Sequence, residues 1–172
     1  PLVQFADALS DSIQSYDQKI EELGSEKYGH TKLLRQVKGV GPITALAYVL
    51  TIENPELFAK SRDVGPYVGL VPKQEDSGES QPQLGISKTG DTMVRKLLVG
   101  SAQYILGPFG PDTDLRRYGL GLCERGGKNA KKRAAVAVAR KLAVLLHRLW
   151  VSGEVYEPLG YTASRRIVQQ AA

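Results

Sequence analysis

One cysteine, one methionine, one tryptophan and two histidines are all that the 172 residues hold of these types. A lone Cys123 excludes an intramolecular disulfide and suits a reducing cytosol; set in what reads as a loop, it is a passenger rather than a nucleophile. His30 and His147 stand apart from each other, and His147 falls on an apolar helix as a packing residue. The acidic residues form no spaced cluster of the kind a two-metal nuclease needs, so no metal site is legible and no cofactor is expected in this chain. A phosphate-binding loop of the nucleoside-triphosphatase type is missing too. No apolar run can span a bilayer and no signal peptide is visible, which excludes a membrane partner and points to the cytoplasm. The only methionine is Met93, so a chain opening on Pro1 reads as an excised piece of something longer. Strand signals are weak and internal repeats absent, which leaves a mainly α fold.

What is present is ordinary in amount and uneven in placement. Hydrophobic residues at 42% and charged residues at 24% describe a globular chain, long enough for one core and an appendage. The net charge of +5 hides two opposed halves. Residues 1–86 hold 8 Lys/Arg against 12 Asp/Glu, and residues 87–172 hold 15 against 6. A C-terminal half this basic favours a polyanion as partner.

Leu2, Ala6, Leu9, Ile13, Tyr16, Ile20 and Leu23 recur at alternating spacings of four and three, the seam of a coiled coil over three heptads. Two readings stand: a helix pairing with a second copy, making a homo-oligomer, or an amphipathic helix packed on its own domain. The organisation that follows is a coiled-coil helix over 1–27, a helical domain over 31–151 and an irregular tail over 152–172. Within the domain, Ser61 is expected to cap a helix reaching Leu70. Asp91 opens a strong helix to about Leu106, with Val94, Leu98, Ala102 and Ile105 inward and Arg95 and Lys96 on the other side. A Gly/Pro turn and a short segment through Leu122 precede a last helix from about Lys128 to Val151.

Residues 31–51 hold the most informative run, Leu34-Arg35-Gln36-Val37-Lys38-Gly39-Val40-Gly41-Pro42-Ile43-Thr44. A helix over Thr31 to Val37, a turn freed by Gly39 and Gly41, and a second helix with Pro42 at its first position make a helix-hairpin-helix. The amides of Ile43 and Thr44 then point out of a helix N-terminus, a seat for a phosphate oxygen, with Lys38 alongside. An ordinary packing corner is the other reading of the same residues.

From Val71 to Gly90 periodicity gives way to turn formers, and a long loop inside a compact domain is commonly functional. Ser77-Gly78 sits there. A serine hydroxyl can attack a DNA phosphodiester and hold it as a phosphoserine ester when cations stabilise the transition state. Lys73 and Lys88 flank it, Arg95 and Lys96 follow, and Lys128, Lys131, Lys132 and Arg133 crowd the start of the last helix.

Val68-Gly69-Leu70-Val71-Pro72, Ser77-Gly78, Leu84-Gly85-Ile86-Ser87-Lys88-Thr89-Gly90-Asp91, Val94-Arg95-Lys96-Leu97-Leu98-Val99 and Ala135-Val136-Ala137-Val138-Ala139-Arg140-Lys141-Leu142 occur in that order. Together they resemble the bacterial insertion-sequence transposases that join an N-terminal RuvC-like carboxylate domain to a C-terminal serine-bearing domain, relatives of the Piv-type DNA invertases. The likeness runs from about Thr31 to Trp150. It implies an oligomeric recombinase acting on DNA near the bacterial nucleoid, guided by a structured RNA. It further implies Ser77 as nucleophile and Arg95-Lys96 and Arg140-Lys141 as basic pairs. Mg2+ is implied only in the RuvC-like domain, which this chain does not contain, so the chain alone is expected to bind without turnover. Glu75, Asp76 and Glu79 make the serine's surroundings more acidic than that role leads one to expect. A non-catalytic binding and oligomerisation module, or a helical adaptor between proteins, would use many of the same residues.

Overall fold

The computed structural model describes residues 1–73 and 85–160. The mainly α expectation holds. Among the described residues the elements are α1 (Leu2–Glu26), α2 (Thr31–Leu34), α3 (Pro42–Ile52), α4 (Val64–Tyr67), α5 (Thr92–Leu106), α6 (Asp114–Glu124) and α7 (Ala130–Ser152), with 3₁₀ turns at Pro55–Leu57 and Ser61–Asp63. None of these helices is long and apolar enough to cross a membrane.

The last helix is the axis. Ala134, Ala135, Ala139 and Ala143 are buried along α7 with Val138, Leu142, Leu146 and Leu149, so small side chains let α2, α4, α5 and α6 approach it closely. Leu98 and Ala102 of α5 and Leu34 of α2 complete the same core. Each leucine removed from water contributes about 1.5–3 kcal/mol. Two polar side chains tie the periphery to this axis. Tyr48 of α3 donates its hydroxyl to the Ala143 carbonyl at 2.7 Å, and burial pushes its phenol far above the ordinary range. His147 bridges the two 3₁₀ turns, with Nε2 2.9 Å from the Pro55 carbonyl and Nδ1 3.0 Å from Ser61 Oγ. Pro55 can only accept, so Nε2 donates to it.

Side-chain caps set two of the helix starts. Asp91 accepts from the Val94 amide at 2.6 Å and Thr113 from the Arg116 amide at 3.1 Å. Ser61 does not cap as expected: its hydroxyl is spent on His147, and the segment from Ser61 is a 3₁₀ turn running into α4, which ends at Tyr67. The short segment before Leu122 is a full helix, α6, and it carries the half-buried Cys123 that was expected in a loop.

The chain's ends behave oppositely. Every residue from 1 to 19 is exposed. Only the last turns of α1 dock, where Thr31 Oγ1 donates to the Gly24 carbonyl at 2.9 Å and Arg35 pairs with Glu21 at 2.6 Å. Beyond α7, the first part of the expected tail folds back onto the domain. The Tyr156 amide donates to Gln36 Oε1 and the Asp114 amide to the Pro158 carbonyl, both at 2.8 Å.

Candidate nucleic-acid interface

Two helices, α2 and α3, flank the turn at Gly39 and Gly41, the first shorter than expected. α2 ends at Leu34, closed by the Arg35 amide donating to the Thr31 carbonyl at 3.0 Å, and tight turns carry the chain on to Val40, with the Val40 amide donating to the Val37 carbonyl at 2.9 Å. The reason is burial: Leu34, Val37 and Val40 all face the core, a spacing of three that turns satisfy and a straight helix does not. Gly39 has φ +96°, and a Cβ there would sit 3.0 Å from the Tyr104 ring, so backbone and packing both demand glycine. Gly41 corrects the expectation of unusual angles at both glycines. Its φ of −85° and ψ of 176° suit any residue, and a Cβ there would meet nothing within 4 Å. Its missing side chain leaves the start of α3 uncovered instead. Ala45 is the first amide of α3 to find a partner, the Gly41 carbonyl at 2.9 Å. The amides of Ile43 and Thr44 have none among the described residues.

A groove of about 510 Å³ lies between this turn and α5. Gly39, Gly41 and Thr44 line one wall and Lys96, Gly100, Ser101 and Tyr104 the other, over Val40 and Leu97. Four of the sequence candidates thus come together in one place. Gly100, Ser101 and Tyr104 were missed, although spacings of four and eight from Lys96 put Gly100 and Tyr104 on its face of the helix.

A second arrangement closes the long loop. The Lys73 amide donates to the Gly85 carbonyl and the Ser87 amide to the Val71 carbonyl, both at 2.8 Å, around an antiparallel bridge between Pro72 and Ile86. These contacts fix where the chain leaves and re-enters the fold. A Cβ on Gly69 would lie 2.2 Å from the Thr89 carbonyl oxygen and one on Gly90 2.0 Å from that of Tyr67, so the two stems cross with no room for side chains. Lys73 and Lys88 are exposed on these stems. Ser77 itself, with the whole of 74–84, lies outside the described residues.

Arg95 was expected on the outer side of α5 and is not there. It is 9% exposed, and its guanidinium donates to the carbonyls of Val68 at 3.3 Å and Thr89 at 2.8 Å and to Thr92 Oγ1 at 3.1 Å. It clasps both stems rather than facing solvent. The signal was present in the sequence: Arg95, Leu98, Ala102 and Ile105 share one helical face. Lys96, one residue on, is exposed.

The remaining cations are spread more widely. Arg140 is exposed on α7 and lies over α4, its Nε 3.1 Å from where a Gly65 side chain would begin. Lys141 stands 4.0 Å from the centroid of the Tyr118 ring. Lys128, Lys131, Lys132 and Arg133 are exposed at and just before the start of α7, which begins at Ala130 rather than Lys128. Arg133 bonds the Gly126 carbonyl at 3.2 Å. Lys38 is exposed beside the groove's turn. No three of His, Cys, Asp and Glu among the described residues gather as a metal-holding group.

The sequence that builds this geometry resembles known proteins. Residues 31–114 match the family described as transposase IS116/IS110/IS902, a stretch that includes the hairpin, the loop stems and α5. The chain is 33% identical to the transposase for insertion sequence element IS1111A of Coxiella burnetii over 85% of its own length and 39% of the relative's. It is 32% identical to the "Probable family 20 transposase" of Pseudomonas aeruginosa over 92% of its own length and 48% of the relative's. With the transposase for insertion sequence element IS1328 of Yersinia enterocolitica it shares 35% identity over half of its length and 28% of the relative's. The chain therefore spans less than half the length of these relatives. Residues 31–114 thus match the transposase IS116/IS110/IS902 family, and the similarity to these transposases runs over 85% and 92% of the chain for the first two.

Proposed function

We propose that this chain is the DNA-gripping, serine-bearing part of a transposase, holding nucleic-acid backbone through the hairpin groove. The observation that carries the reading is one groove lined by Gly41, Thr44 and Lys96 and by no carboxylate, at the start of α3, where the Ile43 and Thr44 amides have no partner among the described residues. Phosphate oxygens need hydrogen-bond donors and positive charge, and the groove offers both without reading base edges. Substituting Gly41→Phe tests it, because the position has open space and ordinary backbone angles. The expected result is several-fold weaker binding of a labelled DNA duplex at low salt with an unchanged melting temperature. Unaltered affinity would remove the hairpin from the interface.

For the chemistry, Ser77 is the nucleophile in this reading. Its Oγ attacks a phosphodiester phosphorus and gives up its proton; the bond from phosphorus to one deoxyribose oxygen breaks, and that oxygen leaves as a hydroxyl. The phosphoserine ester keeps the bond energy for rejoining to a second strand end. What supports this is the family match and the pinned stems bearing Lys73 and Lys88. In a complete transposase carrying this domain, a covalent Ser77–DNA adduct is expected on denaturing gels and none with Ser77→Ala; recombination at normal rate by the alanine variant would exclude it. Mg2+ finds no ligand set among the described residues, and no step in this chain is routed through it. A structured guide RNA and self-association through α1 belong to the same reading, the latter favoured by the exposed apolar seam of that helix. The reading places the protein at DNA in the bacterial cytoplasm. A binding and oligomerisation module without catalysis is the second reading, favoured by the same groove and seam.

A further inference from the structure

We infer that the groove between the hairpin and α5 is a subsite for one unpaired nucleotide, with phosphate at the start of α3 and base on the Tyr104 ring. This rests on the backbone-binding reading and goes beyond it by choosing the strand form.

The helix N-terminus alone would accept any anion. Two further observations narrow the occupant. Ser101 is 5% exposed and Thr44 8%, both line the groove, and neither hydroxyl has a hydrogen-bond partner among the described residues. Ser10 and Ser12 of α1, by contrast, donate to the carbonyls four residues earlier at 2.9 and 2.8 Å, whereas the exposed Ser15 makes no such bond. Among the described residues no side-chain N or O atom is both fully buried and unpaired, so both hydroxyls keep access to solvent, on residues that line the groove. They are unpaired, solvent-reached polar groups on otherwise buried residues of the groove wall. A sugar–phosphate unit supplies acceptors for them.

Size and shape give the rest. About 510 Å³ of open, shallow space is far more than one phosphate needs. Val40 and Leu97 give the groove an apolar part of its lining. Tyr104 stands 49% exposed at its edge, stacked on no other ring among the described residues, with Gly39 making room for it. A ring presented this way stacks on a base whose face is free, which an unpaired strand offers and an intact duplex does not. A recombining site passes through unpaired strands, so the preference fits the proposed activity.

The test is fluorescence anisotropy of the 172-residue chain at low salt, with labelled oligothymidylate and a labelled blunt duplex as probes. Tyr104→Ala should weaken oligothymidylate binding about tenfold and leave the duplex unaffected, and Tyr104→Trp should restore the single-strand affinity. Gly100→Glu, at an open helical position that tolerates a side chain, should also weaken oligothymidylate binding about tenfold or more by placing a carboxylate in the groove. Equal losses on both probes with Tyr104→Ala, or no loss on the single strand with either variant, overturn the subsite. Duplex binding without any oligothymidylate binding also overturns it while leaving the backbone-binding reading intact. Failure to bind either probe overturns both.

Discussion

Arg95 shows how far a charge's role depends on where its helix turns it. Its guanidinium donates from Nη1 to carbonyls of both loop stems, Val68 on one side and Thr89 on the other, and from Nη2 to Thr92 Oγ1, a two-nitrogen reach that a single ammonium cannot reproduce. Arg95→Lys is therefore expected to lower unfolding free energy by about 1–3 kcal/mol in denaturant titrations, since buried carbonyls lose charged donors. Its DNA affinity, measured on the folded fraction, should match the parent chain. Lys96→Ala should do the reverse, weakening DNA binding without moving the unfolding midpoint. If Arg95→Lys kept its stability and lost affinity, Arg95 would be a phosphate contact after all. Tyr48 gives a pH signature. Its folded pKa lies far above the unfolded value of 10, so it contributes fully below pH 10 and its contribution is lost as pH rises further. Tyr156, also raised by burial, acts with the same sign. Tyr48→Phe should flatten the loss of stability above pH 10, at a cost of about 1 kcal/mol at neutral pH for the bond to Ala143. An alkaline profile identical to the parent's would show that Tyr48 does not set it.

At the scale of elements, α1 is the part that one copy of the chain leaves unfinished. Leu2, Leu9, Ile13 and Tyr16 are exposed along one seam, and they sit on a helix whose other faces are charged. Among the described residues this 25-residue helix is anchored at its last turns alone, and in the proposed self-association a second copy covers the seam of its first two thirds. The double substitution Leu9→Asp and Ile13→Asp is expected to convert the chain to monomer in sedimentation velocity without unfolding the domain over 31–151. A parent chain that sediments as monomer at high micromolar concentration would refute self-association through α1. The same helix shows what was legible in the sequence. Long helices with repeated apolar spacing, α1, α5 and α7, could be placed to within a residue or two because periodicity accumulates over many turns. α6 escaped because Gly119 and Gly121 interrupt its pattern, and the first helix of the hairpin was drawn too long because Val37 continues the apolar spacing of Leu34. The groove was half legible. Gly39, Gly41, Thr44 and Lys96 came from local motifs, whereas Ser101 and Tyr104 join them only through the packing of α3 against α5, a contact between segments about sixty residues apart in sequence.

The whole molecule is electrically divided, and the division predicts how it meets a polyanion. Acidic residues gather in the first half, where Asp7, Asp11, Asp17, Glu21 and Glu22 all lie on α1, while the excess positive charge falls after residue 86. A partner such as DNA is thus steered away from α1 and toward the domain. Within the domain the cations occupy separate places: Lys38 and Lys96 at the groove, Lys73 and Lys88 on the loop stems, Lys131 and Lys132 at the start of α7. Each lysine that meets a duplex phosphate releases counterions, and the slope of log affinity against log salt changes by about 0.9 for each contact removed. Lys131→Ala with Lys132→Ala should therefore reduce the slope by about 2 if that end of α7 lies on the duplex, with similar weakening for unrelated DNA sequences because phosphates carry no sequence information. Lys96→Ala should reduce it by about 1. A normal slope in the double variant would confine the duplex to the groove and loop stems, and would leave the α7 cluster free for a different polyanion, with RNA the first to try in the same titration.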